Sequence, residues 1–171
     1  MLISEETLDA LNLLLGQFFT HNSEADNFAY NLAMAGYPQI SDIYHHSFAH
    51  FFVGDEMADG LSNLMDMLDS RAVRKVNNAH EEDYQGNLTA IFADNVIMCE
   101  KCRNSILNVI ELAELNQDVE VKLYCEELLM KFMPYYKQAR IWSQFAQRYE
   151  GDFKSFDIHF EDITTYIPII K

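Results

Sequence analysis

Glycine and proline are scarce in this chain, with six and three among 171 residues. A turn-rich β fold needs both at its hairpins, so the shortage argues for long helices instead. Positive charge is also short. Twelve Lys and Arg stand against 27 Asp and Glu, a formal net charge of −15. Phosphate backbones and anionic lipid surfaces repel such a chain, which excludes nucleic-acid binding through a basic patch and membrane attachment by charge. No apolar run approaches the roughly 20 residues of a membrane span. The three cysteines are too few, and odd in number, for a disulfide framework; they fit a reducing cytoplasm. The opening MLISEETLDALNLLL lacks a basic leader segment and a small-residue cleavage site, so it reads as mature protein.

What remains is an oily, aromatic chain. It is 49% hydrophobic with 12 Phe and nine Tyr, enough to bury a sizeable core in one unit. The 3.6-residue periodicity predicts four long helices in residues 1–150 and a short C-terminal arm in 151–171. The first helix runs from an N-cap at Ser4 to Gly36, with the stripe Leu8, Leu11, Leu15, Phe18 or Phe19, Asn22, Ala25 or Asp26, Ala29 and Leu32 or Ala33. The third spans Leu88 to Leu115 through Phe92, Asn95, Cys99, Cys102, Ile106, Val109 and Ala113. The fourth follows a turn at Asn116–Asp118, with Asp118 as cap, and carries Val121, Cys125, Leu128, Phe132, Tyr135, Ala139, Trp142 and Ala146. Pro134 should kink it. The arm alternates at Phe156, Ile158 and Phe160, which fits either an extended strand or a fifth helix.

The second helix, Ser41 to Asp69, is the unusual one. At about 100° per residue, Ile43, His46, His50, Val53, Met57, Leu61, Leu64 and Leu68 share a stripe, so two histidines one turn apart sit on the core face. The other side carries Tyr44, Phe48, Phe51 and Phe52, then Asp55, Asp59 and Asp66. A helix oily on both sides is usually buried twice, which predicts a symmetric homo-oligomer joined through this back face. Between the second and third helices lies a long connection. Short, long and short connections imply an up-down pair, a crossover and a second pair, an all-α four-helix bundle.

The candidate chemistry is metal binding. Imidazoles at i and i+4 converge on one side of a helix, so His46 and His50 can grip one ion, with Asp42 as third ligand or as the group that fixes the tautomer of His46. The bland alternative is a pair of core histidines hydrogen-bonded to Asn22, Asp26 or Asn95. His45 lies beside the stripe and His21 stands alone, so both read as surface or interface residues. His45 with Asp55 or Asp59 could bind metal between subunits, although a solvated acidic strip is the simpler account of those acids. Cys99 and Cys102, with Cys125 opposite, could join a histidine in a tetrahedral set or simply pack the core. Nothing in the chain matches a nucleophile triad, a phosphate loop or a nucleotide fingerprint.

The order of helices resembles ferritin-like proteins, and the first half looks most like the Dps branch of small bacterial ferritins. Leu11-Asn12-x-Leu14-Leu15 opens a long first helix, Tyr30 to Gly36 closes it before a His-bearing second helix, and Leu64-Met-Asp66-x-Leu68-x-x-Arg71 resembles the family's ending of that helix. The resemblance covers Leu11 to Arg71 in pattern and the rest in layout. It implies a cytoplasmic, oligomeric protein that binds ferrous iron (or another divalent metal), oxidises it as a ferroxidase does, and stores it. Among the family's ligand positions, Asp66 matches an Asp and one of His45, His46 or His50 a His. Asn31 and Ser70 replace a His and a Glu, and no Glu-x-x-His occurs in any of the helices. These losses raise a rival expectation: a degenerate bundle without iron chemistry that serves as a structural or interaction protein.

Overall fold

The computed structural model describes residues 2–75 and 82–171, with the backbone alone for 51–55. All regular structure among the described residues is helical. The elements are α1 (Glu5–Met34), α2 (Pro38–Ile43), a π-helical segment (Tyr44–Ala58), α3 (Asp59–Met67), α4 (Leu88–Leu115), α5 (Val119–Arg148) and α6 (Phe153–Ile163). The second long helix is thus three elements end to end, α2, the π segment and α3. It packs on α1, which packs on α4, which packs most extensively on α5. Side chains of the π segment reach α5 in turn and close the bundle.

The stripes of α4 and α5 face inward at every position the periodicity names. Ser4 caps α1, its Oγ accepting from the Thr7 N–H at 3.2 Å. Asp118 occupies the N-cap position of α5, but its carboxylate serves α1, accepting from Ser4 Oγ–H at 2.8 Å and so fastening α1 to the α4–α5 turn. Pro134 lies inside α5 without ending it.

The second helix starts earlier than expected, at Pro38, and Ser41 lies within its first turns. Two features explain this. Proline at the first helical position needs no partner for a missing N–H. The next orphan donor, Ile40 N–H, is taken by the buried Asp157 carboxylate of α6 at 2.8 Å, a cap supplied from elsewhere in the chain. The arm is therefore a short helix followed by an irregular tail. Gln138 of α5 fixes that tail, its Nε2 donating to Ile163 O and its Oε1 accepting from the N–H groups of Thr165 and Tyr166, each at 2.9 Å.

The described ends of the long connection, residues 71–75 and 82–84, lie along α1. Asn12 Nδ2 donates to Arg71 O at 3.2 Å and Asn12 Oδ1 accepts from Val73 N–H at 2.7 Å, a pairing that imitates a sheet edge. Further along, Arg74 lies over the Phe19 ring, and Tyr84 N–H donates to Asn31 Oδ1. The connection has to travel the length of a helix, about 42 Å for the 28 residues of α4 at 1.5 Å each, which accounts for its size.

Two expectations fail in the second helix. Tyr44 and Phe48 are fully buried inside this chain's own core, stacked with ring centroids 5.3 Å apart and packed against Trp142. They are not an outward face for an oligomer. His46 and His50, expected on the core stripe, are exposed instead. The cause is the wide π register: consecutive i→i+5 bonds turn the chain less per residue than an α-helix does, so a 100° wheel drifts off the true faces.

Candidate metal centre

The π register makes neighbours of residues five apart. His45 and His50 accordingly stand with ring centroids 4.3 Å apart on the outer side of the helix. Facing them across the groove to α1 is Asp26. Its Oδ1 lies 3.6 Å from His45 Nδ1 and 3.4 Å from His50 Nε2. One ligand atom from each of the three residues falls within 4.8 Å of the others. The Asp26 Oδ1 atom is sealed from solvent and has no hydrogen-bond partner, since neither imidazole contact has hydrogen-bond geometry. Burying an unpaired carboxylate oxygen is costly unless something positive meets it.

His45 titrates below its ordinary value. Burial is the largest cause and the His50 ring adds to it, together outweighing the pull of Asp26 in the other direction. An imidazole held neutral near pH 7 has its lone pair free for a cation. Cis ligands about 2.1 Å from one ion lie about 3.0–3.4 Å apart, close to the two contacts Asp26 Oδ1 already makes with His45 and His50.

His46 turns the other way, its Nε2 3.4 Å from Asp42 Oδ1, both side chains about half exposed. That pair edges a cleft of about 570 Å³ lined by Tyr30, Ala33, Pro38 and Ser41, with His45 on its wall. The structure thus divides the expected set: His50 joins His45, and His46 joins Asp42. Asp59 and Asp66 are exposed on α3, several helical turns beyond His45 and out of its reach in the same chain. The side chain of Asp55 lies outside the described residues.

Sequence reasoning did not include Asp26 in the site. The signal was present, because Asp26 shares a position in the α1 stripe with Ala25, and an acid there needs a partner.

The bundle interior has a different chemistry. His21, expected at the surface, is 1% exposed, and its Nδ1 lies 3.0 Å from Cys102 Sγ. Tyr44 donates its hydroxyl hydrogen to Asn95 Oδ1 at 2.8 Å. All three cysteines are free and buried, and burial pushes each thiol up, Cys125 to about 12. Thiols so held neither ionise nor attract a metal readily. Among the described residues the buried carboxylates are Asp118, at the start of α5, and Asp157, which bonds the start of α2; neither stands in the centre.

No known family profile matches the chain, and no curated protein does. Solved structures do. A novel open-pore ferritin from the hyperthermophilic archaeon Archaeoglobus fulgidus superposes with a TM-score of 0.81 over 95% of this chain and 96% of its own, at 13% identity. A humanized archaeal ferritin gives 0.81 over 95% and 97%, also at 13% identity. The ferritin of M. penetrans gives 0.72 over 83% and 86%, at 14% identity. At such identities the likeness is one of fold, and the chain folds as a ferritin-like four-helix bundle. None of its helices, among the described residues, is long and apolar enough to cross a membrane.

Proposed function

From the ferritin-like fold as premise, we propose that this protein binds ferrous iron at Asp26, His45 and His50, oxidises it and stores it in a symmetric oligomer. The observation that carries the proposal is the convergence of two imidazole nitrogens and one sealed carboxylate oxygen within 4.8 Å. Two His and one carboxylate with open positions is a donor set suited to ferrous iron, and the exposed side of His50 leaves those positions accessible. Iron is here the substrate: each ferrous ion gives up one electron to dioxygen or peroxide. A net charge of −15 draws cations toward such a site and favours their retention.

The resemblance of the sequence to the Dps branch supports one part of this site, a ligand histidine near the start of the second long helix; Asp26 is not among that family's ligand positions. In an oligomer, Asp59 or Asp66 of a neighbouring copy could fill the open positions that the chain's own acids cannot reach. The interior supports a rival reading, in which the fold is kept for structural or interaction purposes without iron chemistry. His21, Asn95, Cys99 and Cys102 occupy the centre, where no carboxylate is fully buried among the described residues.

Anaerobic ferrous loading followed by elemental analysis and light scattering separates the two. The iron reading expects stoichiometric metal in a large wild-type oligomer, loss of metal in Asp26→Asn and His50→Ala, and retention in His46→Ala. A protein that never retains metal, or variants that retain it equally, would sink the iron reading.

A further inference from the structure

His45 and His50 can share a ligand only in the π register. In an α-helix, residues five apart point about 140° away from each other, so the same two side chains would leave on different faces. A π register over Tyr44–Ala58 is intrinsically rare and needs tertiary contacts to hold it. On the inner side the aromatic packing of Tyr44 and Phe48 contributes. One further contact comes from the other end of the sequence. Ser47 is fully buried, and its Oγ accepts from the Ile170 N–H at 2.8 Å, with Ile170 O 3.5 Å from the same oxygen. The tail that brings Ile170 there is fixed upstream by Gln138, and Trp142 Nε1–H donates to Thr164 Oγ1 at 3.0 Å.

We propose that Ser47 and the Ile170 N–H form a positioning contact that holds the π register of Tyr44–Ala58, so that the C-terminal tail, bound on the inner side of the same turn, sets the metal affinity of the His45–His50 pair. Ser47 lies between His46 and Phe48, inside the turn that carries His45 to His50, and is not one of the three proposed ligands. Release of Ser47 frees the backbone to relax toward i→i+4 bonding. That relaxation rotates His50 off His45, and Asp26 keeps at most one imidazole. The effect on metal rests on the proposed iron site, whereas the effect on register does not.

The test uses the full chain with Ser47→Ala, Ile170→Pro and the double variant. Ile170→Pro deletes the donor without altering the π segment. Two readouts are taken: amide exchange of peptides covering residues 44–58 in metal-free protein, and cobalt(II) affinity by its visible absorption. Each single variant should exchange roughly five-fold faster over 44–58, the equivalent of one lost hydrogen bond, while α4 and α5 exchange as before. Cobalt should bind about 10- to 100-fold more weakly, as when a metal ligand loses its support. The double variant should add little, because both changes break one contact. Unchanged exchange over 44–58, or additive effects in the double variant, would overturn the proposal. Faster exchange with no cobalt bound even by the wild type would uphold the positioning contact and defeat the metal-site reading.

Discussion

His21 Nδ1 meets Cys102 Sγ at 3.0 Å in the middle of the bundle, with the imidazole fully enclosed. Burial lowers the His21 pKa to about 3, from 6.5. The unfolded chain therefore takes up a proton at this position below about pH 6.5 and the native one does not until about pH 3. Stability from His21 is fully present above pH 6.5 and is lost as the pH falls toward 3, by an amount of the order of 5 kcal/mol. Denaturant unfolding of wild type and His21→Leu across that window should show the variant losing about one proton's worth of slope. His45, also titrating low, leaves some slope behind. Parallel curves for the two proteins would contradict this account of His21.

The three thiols should be silent in the native state. Cys99 and Cys102 are fully buried and pushed well up by it, and Cys125 is pushed up to about 12, so thiolate is rare and access is closed. An aromatic disulfide reagent should release no colour from native protein over minutes and three equivalents in denaturant. Rapid reaction of even one native thiol would mean that the α4–α5 seam opens locally.

Gly16 and Gly60 give expectations of different size for the same substitution. A Cβ on Gly16 would lie 2.5 Å from the carbonyl oxygen of Lys75, the backbone of the crossing connection. Backbone cannot step aside alone, so Gly16→Ala should cost about 1–3 kcal/mol and loosen residues 71–75. A Cβ on Gly60 would meet the Tyr124 hydroxyl at 2.6 Å, the far end of a side chain that can rotate. Gly60→Ala should cost less than about 1 kcal/mol, with Tyr124→Phe in the same chain recovering most of it. Thermal unfolding of the three variants decides the order.

What the sequence could and could not reveal follows the helical register. In α4 and α5 the interval from Leu88 to Ala113 and from Val121 to Ala146 keeps to 3.6, and each named residue is buried. In α1, His21 also falls three residues after Phe18 and four before Ala25, on the stripe, so its burial was legible and its isolation as the lone histidine there misdirected the reading. The π segment breaks the rule that made the other helices readable. A 100° wheel pairs His46 with His50; the i→i+5 register pairs His45 with His50 and turns Tyr44 and Phe48 inward. Nothing in the local pattern announces that register, because its support comes from distant residues: Trp142 on Phe48, Asn95 on Tyr44 and Ile170 on Ser47.

The start of the second helix offers the last prediction. Asp157 of α6 supplies the cap to Ile40 N–H at 2.8 Å, and the aromatic ring of Phe153 on the same helix packs edge-on against Tyr37 just before it. Removing the carboxylate leaves a buried N–H with no acceptor, so Asp157→Ala should cost about 1–2 kcal/mol, near the top of the usual range for a lost cap. Asp157→Asn keeps an acceptor oxygen in place and should cost about half as much. Amide exchange should show the loss spreading to both α2 and α6 and sparing α4 and α5, because this bond joins only the first two. If Asp157→Ala unfolds as the wild type does, the proline at the helix start and the Tyr37–Phe153 contact suffice to set the early beginning of this helix, and the cap from α6 does not.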